Sequence, residues 1–396
     1  MKKIAIISFG GLPLPAVKGG AVENLIQFFV ENNEKEKNAE LTVFSSYDSK
    51  AEIEASKYQN TKFVYIKRHG VIDPIVNFTN RVFKKLRFSS IFQIFPYLID
   101  IVKIIKKSDF DCVVVENRAE YVPYLKRKIN IPIFLHMHND YLDSKYYLAN
   151  SVVKGCTKII AVSDYIKNCV LTIENSRNHV SVLRNVIDTK AFMNVLPDVR
   201  CRLREEYNIK QDDVVFAFVG RLTPDKGIEE LIDAFSSVAQ KHTNVKLLVV
   251  GAEWFSDSSE GDYLKKLRSK SIGIEDKIIF TGYVDYLRIS EQYACADVVV
   301  VPSIIGEACG LVVLEAMASA KALIVSDSGG IPEHIDSKCA IVVPRKEKFA
   351  KGLSEAMEKL ISDRMLLESM GEHGRCRASN YDKENYLARL LEQIES

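Results

Sequence analysis

Short, wholly apolar runs alternate with segments of helical periodicity along most of the chain. The run Ile4–Ile7 is followed by a loop rich in glycine and proline that reaches Gly20, and then by apolar residues at helical spacing from Val22 to Val30. This order of strand, glycine loop and helix is typical of the first unit of a doubly wound α/β domain. Because later apolar runs also alternate with helical segments, the pattern predicts a parallel sheet. Further strands are predicted at 41–44, 62–66, 112–115, 132–136 and 158–162.

A second series of apolar runs begins at Val214. The run VVFAFVG is followed by a turn, by an amphipathic helix at Ile228–Ala239, and then by VKLLVVG, KIIFTGY, ADVVVVP and ALIVSD. Strands that are apolar on both faces are typical of a sheet covered by helices on both sides. The sequence therefore predicts two successive doubly wound domains that face each other across a cleft, with ligands bound at the carboxyl ends of the strands.

The end of the chain also has a helical pattern. Apolar residues recur at helical spacing within Tyr381–Ile394, which predicts a terminal helix that packs back on the body of the protein. We assign 1–187 with the returning segment 376–396 to an N-terminal domain. We assign 188–375 to a C-terminal domain.

Composition agrees with two globular domains and excludes several classes. The chain has 396 residues, of which 47% are hydrophobic and 27% charged, as is ordinary for globular proteins. The net charge of +2 does not indicate a nucleic-acid partner, and no RNA- or DNA-binding module is visible. Eight cysteines without a Cys-x-x-Cys pair are typical of a reducing cytosol, so we expect a cytoplasmic protein. No apolar run reaches the roughly 18 residues of a membrane-spanning helix.

The segment Val301–Ala318, VPSIIGEACGLVVLEAMA, carries the most chemical information. A loop with Glu307 follows a predicted strand, and a helix that contains Glu315 starts near Gly310. Amides at a helix amino end bind anions. Glu307 and Glu315 are not the catalytic carboxylate pair of a glycosidase. Eight residues of helix separate two carboxylates by about 12 Å, whereas the catalytic carboxylates of glycosidases lie roughly 5–9.5 Å apart. At this separation the two carboxylates could contact the two ends of an extended ligand. They could equally be two solvated carboxylates at a helix cap.

Cations follow the first strand of the second domain. In VGRLTPDKGIEELIDAF, Arg221 and Lys226 lie between that strand and a helix, where a diphosphate would need neutralising. Two ordinary surface cations with turn-forming glycines would have the same pattern.

Glycines mark two further loops. Gly19 and Gly20 immediately precede the first helix, and Gly329 and Gly330 follow the strand ALIVS, so backbone can approach a ligand closely at both places. The spacing at Gly19 and Gly20 fits neither the dinucleotide fingerprint nor the P-loop. Loops that simply need flexible glycines remain the alternative.

Two motifs bear on metal binding. His136 and His138 point the same way if their strand continues, but Asp140 is the only nearby third ligand, so we predict no metal site and at least one buried structural histidine. Asp109 and Asp111 form a single Asp-x-Asp at the amino end of a predicted strand, away from the ligand side. We interpret them as structural and expect neither a metal nor another cofactor.

Together these motifs resemble glycosyltransferase family 4, which comprises retaining enzymes of the GT-B fold. The resemblance covers nearly the whole chain and is strongest at Gly220–Gly227, Val301–Ala318 and Asp327–Glu333. The N-terminal LPLPAVKGGA is similar to bacterial polysaccharide and spore-coat-type members. The resemblance implies a retaining glycosyltransferase that uses a nucleoside-diphosphate sugar, with a UDP-sugar as the expected donor. It also implies a glycan or lipid-linked acceptor, in bacterial surface polysaccharide synthesis.

The resemblance also implies roles for individual residues. Arg221 and Lys226 would neutralise the donor diphosphate, and Glu315 would accept hydrogen bonds from the ribose. Glu307 would contact the transferred sugar, while His138 matches the cleft histidine of the family. Further binding residues implied by the resemblance are Gly19, Gly20, Tyr283, Ala308, Cys309, Gly310 and Leu311.

The mechanism implied is front-face attack, in which the leaving phosphate helps to deprotonate the acceptor hydroxyl, without a metal. The chain departs from the family at Val186 in the linker and at Gly251-Ala252-Glu253, which lacks a second glycine, so hinge conformation and base selectivity stay open. Two other functions stay open as well. An epimerase of the same fold would release free sugar without an acceptor, and a catalytically silent member would act as a binding partner.

A basic and apolar segment runs from Lys67 to Lys107. Lysine and arginine interleaved with phenylalanine and isoleucine suit an anionic membrane surface, which would place the protein peripherally on the inner face of the cell membrane. A pair of core helices with solvated lysines is the alternative.

Overall fold

The computed structural model describes residues 1–67, 95–253 and 261–396. The chain divides into two compact units, Met1–Asn185 with Glu384–Ser396, and Val186–Lys383. The sequence placed the first boundary two residues later, at 187. It also began the returning segment at 376, whereas Arg364–Ala378 is one continuous helix of the second unit.

The first unit contains a seven-stranded, all-parallel sheet with the order β3-β2-β1-β4-β5-β6-β7. Because β1 has β2 on one side and β4 on the other, the winding direction reverses between β1 and β4, and such a switch point leaves a crevice at the carboxyl ends of the strands. The strands are β1 (Lys2–Ile7), β2 (Ala39–Ser46), β3 (Thr61–Ile66), β4 (Cys112–Glu116), β5 (Ile133–Met137), β6 (Lys158–Ala161) and β7 (Val180–Val182).

Helices connect these strands. The longest of the described ones, Ala21–Glu36, buries Leu25, Ile26 and Phe29 on its apolar stripe, as the helical spacing in the sequence predicts. The described helices of this unit are α1 (Ala21–Glu36), α2 (Ser49–Ala55), α3 (Pro96–Ile105), α4 (Tyr121–Lys126), α5 (Ala149–Gly155), α6 (Asp164–Leu171) and, at the end of the chain, α15 (Tyr386–Glu395).

The second unit repeats the same winding. Its six parallel strands follow the order β10-β9-β8-β11-β12-β13, so the switch point lies between β8 and β11. The strands are β8 (Val214–Val219), β9 (Val245–Val250), β10 (Ile278–Gly282), β11 (Val298–Val301), β12 (Ala322–Ser326) and β13 (Ala340–Val343).

Helices of the second unit cover this sheet. Helix α9 buries Leu231, Ile232 and Phe235 against Phe216 and its neighbours in the core. The described helices are α7 (Thr189–Met193), α8 (Pro197–Glu206), α9 (Ile228–Ala239), α10 (Asp262–Lys270), α11 (Ile289–Cys295), α12 (Leu311–Ala318), α13 (Phe349–Ser362) and α14 (Arg364–Ala378).

The terminal helix α15 returns to the first unit, which confirms that prediction. The ring of Tyr386 stacks on Phe29 of α1 with centroids 4.5 Å apart. The amide of Leu387 donates a 3.1 Å hydrogen bond to Asn32 Oδ1. Both contacts are buried, so this helix covers apolar surface of α1.

The predicted pair of doubly wound parallel sheets is thus confirmed. Two short edge strands, β7 and β13, were not predicted, because β7 has only half-buried positions and β13 mixes buried with exposed ones. Most of the basic, apolar segment lies at 68–94, outside the described residues. Within the described ranges, no helix combines the length and apolar character needed to span a bilayer.

Candidate functional site

Three loops meet at the carboxyl ends of the central strands of the second unit. The loop after β8 contains Arg221 and Lys226, the loop after β11 contains Glu307, and the loop after β12 contains Ser328. Ile304 donates its amide to the carbonyl oxygen of Asp225 at 2.9 Å, which joins the first two loops. The switch point of this sheet therefore carries the motifs that the sequence singled out.

Glu307 is the centre of this convergence. Its Oε1 forms an ion pair with Lys226 Nζ and accepts a 2.8 Å hydrogen bond from Ser303 Oγ. Its amide donates to Ser328 Oγ at 3.0 Å, and its carbonyl oxygen accepts from the amide of Gly330 at 2.7 Å. Both charged side chains keep about a fifth of their surface exposed, 23% for Lys226 and 20% for Glu307, so they remain reachable by a ligand.

Gly227 lets the first two loops pack closely. Its φ is +70°, and a Cβ atom there would lie 1.9 Å from the carbonyl oxygen of Pro302. Any side chain would therefore push the loop after β8 away from the loop after β11, and with it Lys226 from Glu307.

The amino end of α12 follows directly. Gly310 takes the N-cap position with φ +74°, and among the described residues no side chain caps this end. Cys309 is buried, with its Sγ 3.3 Å from His334 Nε2. The predicted stretch Ala308–Leu311 thus places backbone amides of a helix amino end beside Glu307, an arrangement that favours a negatively charged or hydroxyl ligand.

Glu315 lies on the same helix but is buried. Its Oε2 accepts a 2.7 Å hydrogen bond from the hydroxyl group of Tyr293. Burial raises the pKa of Glu315 to about 7, and the Tyr293 hydrogen bond only partly opposes this. The alternative of two solvated helix-cap carboxylates is therefore wrong for Glu315.

The remaining predicted residues of this unit lie on the same edge of the sheet. Arg221 is exposed directly after β8, and Tyr283 follows β10. Glu253, where the sequence departs from the family, accepts a 2.7 Å hydrogen bond from the amide of Leu264 and so satisfies a backbone donor in the first turn of α10. This bond gives the carboxylate a structural role at that position.

Gly19 and Gly20 lie in the first unit at the amino end of α1. Gly20 has φ +110°, and a Cβ atom there would lie 2.2 Å from Glu23 Oε2. Glu23 is buried, and burial raises its pKa to about 7, with a further contribution from the charge of Glu116. Gly20 thus leaves room for a buried carboxylate at the helix start, whereas a Cβ atom at Gly19 would meet nothing within 4 Å.

His138 lies just past β5 in the first unit and is bound to a carboxylate. Its Nε2 is 2.9 Å from Oε2 of Glu116, the last residue of β4, and His136 Nδ1 is 3.0 Å from the same oxygen. Burial alone would raise the pKa of Glu116, but the two imidazoles lower it to about 2. The pKa of His138 falls to about 4, through burial and the neighbouring His136.

The sequence analysis found several of these groups but missed their partners. Both histidines are buried, where at least one was expected. Glu116 was overlooked because it ends an apolar strand twenty residues before His136, and Tyr293 because nothing local links it to Glu315. An acidic residue at the carboxyl end of a buried strand is the signal that could have identified Glu116.

Metal binding can be judged for the described residues. Glu116, His136 and His138 are the group there whose ligand atoms lie close enough for one ion, within 4.8 Å of one another. The sequence considered only Asp140 as a third ligand, and its Oδ2 accepts a hydrogen bond from the hydroxyl group of Tyr165. Asp109 pairs with Lys3, and Asp111 accepts the Lys3 amide at 2.7 Å, at the amino end of β4, as expected of structural residues.

Comparisons with known proteins agree with these two units. Residues 36–191 match the family model described as Glycosyltransferase Family 4, and residues 199–377 match Glycosyl transferases group 1. Spore coat protein SA of Bacillus subtilis is 27% identical over 403 residues, covering 99% of both chains. Lipopolysaccharide 1,2-N-acetylglucosaminetransferase of Salmonella typhimurium is 30% identical, covering 59% of this chain and 58% of its own. HepE of Anabaena, solved in complex with UDP-glucose, superposes with a TM-score of 0.78 at 18% identity over the full length of both chains.

Proposed function

Because this chain belongs to the glycosyltransferases of the GT-B fold, we propose that it is a retaining enzyme that uses a nucleoside-diphosphate sugar. The sugar passes to a hydroxyl group of a glycan or lipid-linked acceptor. One observation carries this proposal, the convergence of Lys226, Glu307 and the amino end of α12 at the switch point of the second sheet.

The donor joins a negatively charged diphosphate to a sugar with several hydroxyl groups, and the second unit offers side chains that suit each part. Arg221 and Lys226 supply positive charge for the diphosphate, beside the amides that start α12. Glu307 accepts hydrogen bonds from hydroxyl groups of the transferred sugar and already holds Lys226 toward it. Because the Lys226–Glu307 pair is partly exposed, a phosphate oxygen can share Lys226 without the loss of a buried ion pair.

The nucleoside end of the donor has its own hydrogen-bond acceptor in the second unit. Glu315 lies on α12, eight residues after Glu307, and its buried carboxylate would accept hydrogen bonds from the ribose. Tyr283 and the backbone that follows β10 would contact the base. The structure of HepE with UDP-glucose supports a UDP-sugar as the donor.

We propose that catalysis needs no metal. The developing negative charge of the leaving diphosphate would be stabilised by Arg221, Lys226 and helix amides, which is the task a divalent cation performs in other enzymes. The leaving phosphate would then accept the proton of the attacking hydroxyl from the same face, so that the anomeric configuration is retained. His138, with Gly19 and Gly20, would contribute from the first unit.

The relatives suggest the biological setting. The Salmonella relative acts on lipopolysaccharide by name, and the Bacillus relative is a spore coat protein. We propose a role in bacterial surface polysaccharide synthesis, on the inner face of the cell membrane. Sedimentation with anionic vesicles, which should weaken as salt rises, tests the membrane part, and binding that is indifferent to lipid charge would contradict it.

A donor screen tests the proposed function. UDP-, GDP- and ADP-sugars are each added to the protein and the melting temperature is measured, since a ligand that binds the folded state raises it. The donor that gives the largest rise is then incubated with and without glycan acceptors, and nucleotide release and product anomers are followed by NMR. Acceptor-dependent release with a retained anomer supports the proposal. Free epimerised sugar without an acceptor would support an epimerase instead, and no shift with any donor would indicate a silent member.

A further inference from the structure

The loop that carries Glu307, residues 302–310, lies between β11 and α12 and is neither helix nor strand. Its backbone is bound to the loop after β12. Ser328 Oγ donates to the carbonyl oxygen of Ile305 and accepts a 3.0 Å hydrogen bond from the amide of Glu307, while the amide of Gly330 donates to the Glu307 carbonyl oxygen at 2.7 Å. The position of Glu307 therefore depends on neighbouring loops.

The start of the same loop is held at three further backbone groups. The carbonyl oxygen of Ser303 accepts from Ser326 Oγ at 2.7 Å, and the amide of Ile304 donates to the carbonyl oxygen of Asp225 at 2.9 Å. The carbonyl oxygen of Ile304 accepts from Arg345 Nη1 at 2.7 Å. Arg345 contributes a charged side chain here, whereas the other two partners are a hydroxyl group and a backbone carbonyl.

Arg345 binds two loops at once. It lies two residues after β13, which pairs with β12, so it sits beside the loop that follows β12. Its Nε donates to Asp327 Oδ1 at 3.0 Å and its Nη2 to the Asp327 carbonyl oxygen at 3.2 Å, while Nη1 donates to Ile304. The amide of Arg345 donates to Asp327 Oδ1 as well, at 3.0 Å. The rigid fork of a guanidinium allows one side chain to make all of these bonds.

The effect of Arg345 on overall stability should be small. Its side chain is 30% exposed and that of Asp327 is 43% exposed, and ion pairs at such positions contribute little to the free energy of unfolding. Its effect on the loop is direct, since Ile304 lies three residues before Glu307. The Glu307 carboxylate contacts Lys226 and Ser303, so its direction follows the path of this loop.

We infer that Arg345 is a positioning residue, which ties the loop after β11 to the loop after β12 and so fixes the carboxylate of Glu307. The inference rests on the proposed function only for the ligand of Glu307, the transferred sugar. A displacement of a positioning group by about 1 Å can lower a rate by about 100-fold, so a contact outside the reacting atoms can matter for turnover.

The first test needs no activity. Hydrogen exchange followed by mass spectrometry is measured on wild type and on Arg345→Met, which keeps a long apolar side chain but removes every guanidinium bond. Peptides that cover 302–311 should exchange roughly tenfold faster in the variant, because the amide of Glu307 loses protection when the loop opens locally. Exchange in β8 should stay unchanged. Equal exchange at 302–311 in the two proteins would overturn the inference.

Arg200→Met is the matched control. The side chain of Arg200 is 31% exposed and likewise binds backbone carbonyls, those of residues 294–296, together with the carboxylate of Asp297. These contacts lie at the amino end of β11, opposite the donor loops. The control should lower the melting temperature at least as much as Arg345→Met, yet leave kcat and the exchange of 302–311 unchanged. Faster exchange of 302–311 in both variants would mean that any loss of stability loosens this loop, and would overturn the inference.

The second test separates positioning from structural support. Arg345→Met should lower kcat by roughly 10–100-fold, while the affinity for UDP, measured by calorimetry, changes by less than about twofold. In a Glu307→Gln background the same substitution should have almost no further effect on kcat, since both act through one carboxylate. Equal effects in the two backgrounds would contradict a role that runs through Glu307.

Arg345→Lys distinguishes the fork from the charge. Lysine keeps the positive charge but cannot bind Ile304 and Asp327 together in the same geometry, so this variant should behave like Arg345→Met. Wild-type kcat in Arg345→Lys, with low kcat in Arg345→Met, would show that the residue acts as a charge on the ligand, against the inference. Wild-type protein that is inactive with every donor, with faster exchange of 302–311 in Arg345→Met, would reject the proposed function and leave the tie between the two loops standing.

Discussion

The hydroxyl group of Tyr293 donates a 2.7 Å hydrogen bond to Oε2 of Glu315, and both side chains are buried. Burial raises the pKa of Glu315 from 4.5 to about 7, although the hydrogen bond favours the ionised form. Ionising this carboxyl therefore costs free energy in the folded state. Such a cost is reasonable where a carboxylate serves a ligand rather than stability.

Glu315→Gln should stabilise the protein at alkaline pH. Because the folded pKa is the higher one, the folded state binds more protons than the unfolded state between pH 4.5 and about 7, and the free energy of unfolding falls as pH rises through that window. Glutamine has no such loss, so the variant should gain up to roughly 3 kcal/mol over wild type at pH 8, at about 1.4 kcal/mol per pKa unit, and almost nothing at pH 4. Urea denaturation at both pH values measures this difference.

Tyr293→Phe is a control that should change stability in the opposite direction. It keeps the ring but removes the hydrogen bond to Glu315, so the free energy of unfolding at pH 8 should fall by about 1–3 kcal/mol. A Glu315→Gln variant that is no more stable than wild type at pH 8 would show that the carboxyl is better solvated than its burial indicates.

Loss of either cation after β8 should nearly abolish turnover. Lys226→Ala removes the partner of Glu307 and a charge proposed to bind the diphosphate, and Arg221→Ala removes the second charge. We expect kcat to fall by roughly 10²–10³-fold, the usual effect of removing one group that stabilises a leaving oxyanion. Steady-state kinetics with the identified donor measures it.

Lys241→Ala is the matched control for these substitutions. Lys241 also pairs with a glutamate, Glu358, but its side chain is 64% exposed. Its replacement should change neither rate nor melting temperature appreciably. Near-wild-type turnover in Arg221→Ala or Lys226→Ala would contradict the assignment of these two residues to the diphosphate.

Chelation should leave activity unchanged. The group of metal-type ligands in the described residues, Glu116, His136 and His138, is buried in the first unit, and both imidazoles already lie within 3.0 Å of Glu116 Oε2. Incubation with EDTA followed by assay, with and without added Mg²⁺ or Mn²⁺, tests this. Loss of activity that either cation restores would show that a metal takes part in the reaction.

Much of the fold was predictable because its signal is local. Wholly apolar runs such as Val214–Val219 become strands buried on both faces, and the periodicity of Ile228–Ala239 gives its helix with the predicted bounds. The strand Ala340–Val343 was missed, since its middle residues are partly exposed and pairing with β12 defines it. Pairing of this kind depends on the assembled sheet rather than on its own sequence.

The site was predictable in its motifs but not in its pairs. Lys226 and Glu307 were both singled out, yet their ion pair joins residues 81 positions apart. Glu315 was assigned to the ribose, but its burial and its hydrogen bond with Tyr293 were not predicted. Burial and long-range partners depend on packing, which spacing along the chain does not encode.

The last prediction concerns which part of the donor Glu307 contacts and which part Glu315 contacts. Glu307 lies in the loop before α12, is 20% exposed, and contacts Lys226, so its proposed ligand is the reacting sugar. Glu307→Gln should lower kcat by about 100-fold or more through poorer orientation, while the affinity for UDP changes little. Glu315→Gln should instead weaken UDP binding about tenfold, since a hydrogen bond to a charged group contributes roughly 1.5–3 kcal/mol. Calorimetry with UDP on the two variants decides the matter. Equal loss of UDP affinity in both would contradict the sugar-end and ribose-end assignment, and an unaffected Glu307→Gln would make Glu307 a solvated loop carboxylate that only accompanies Lys226.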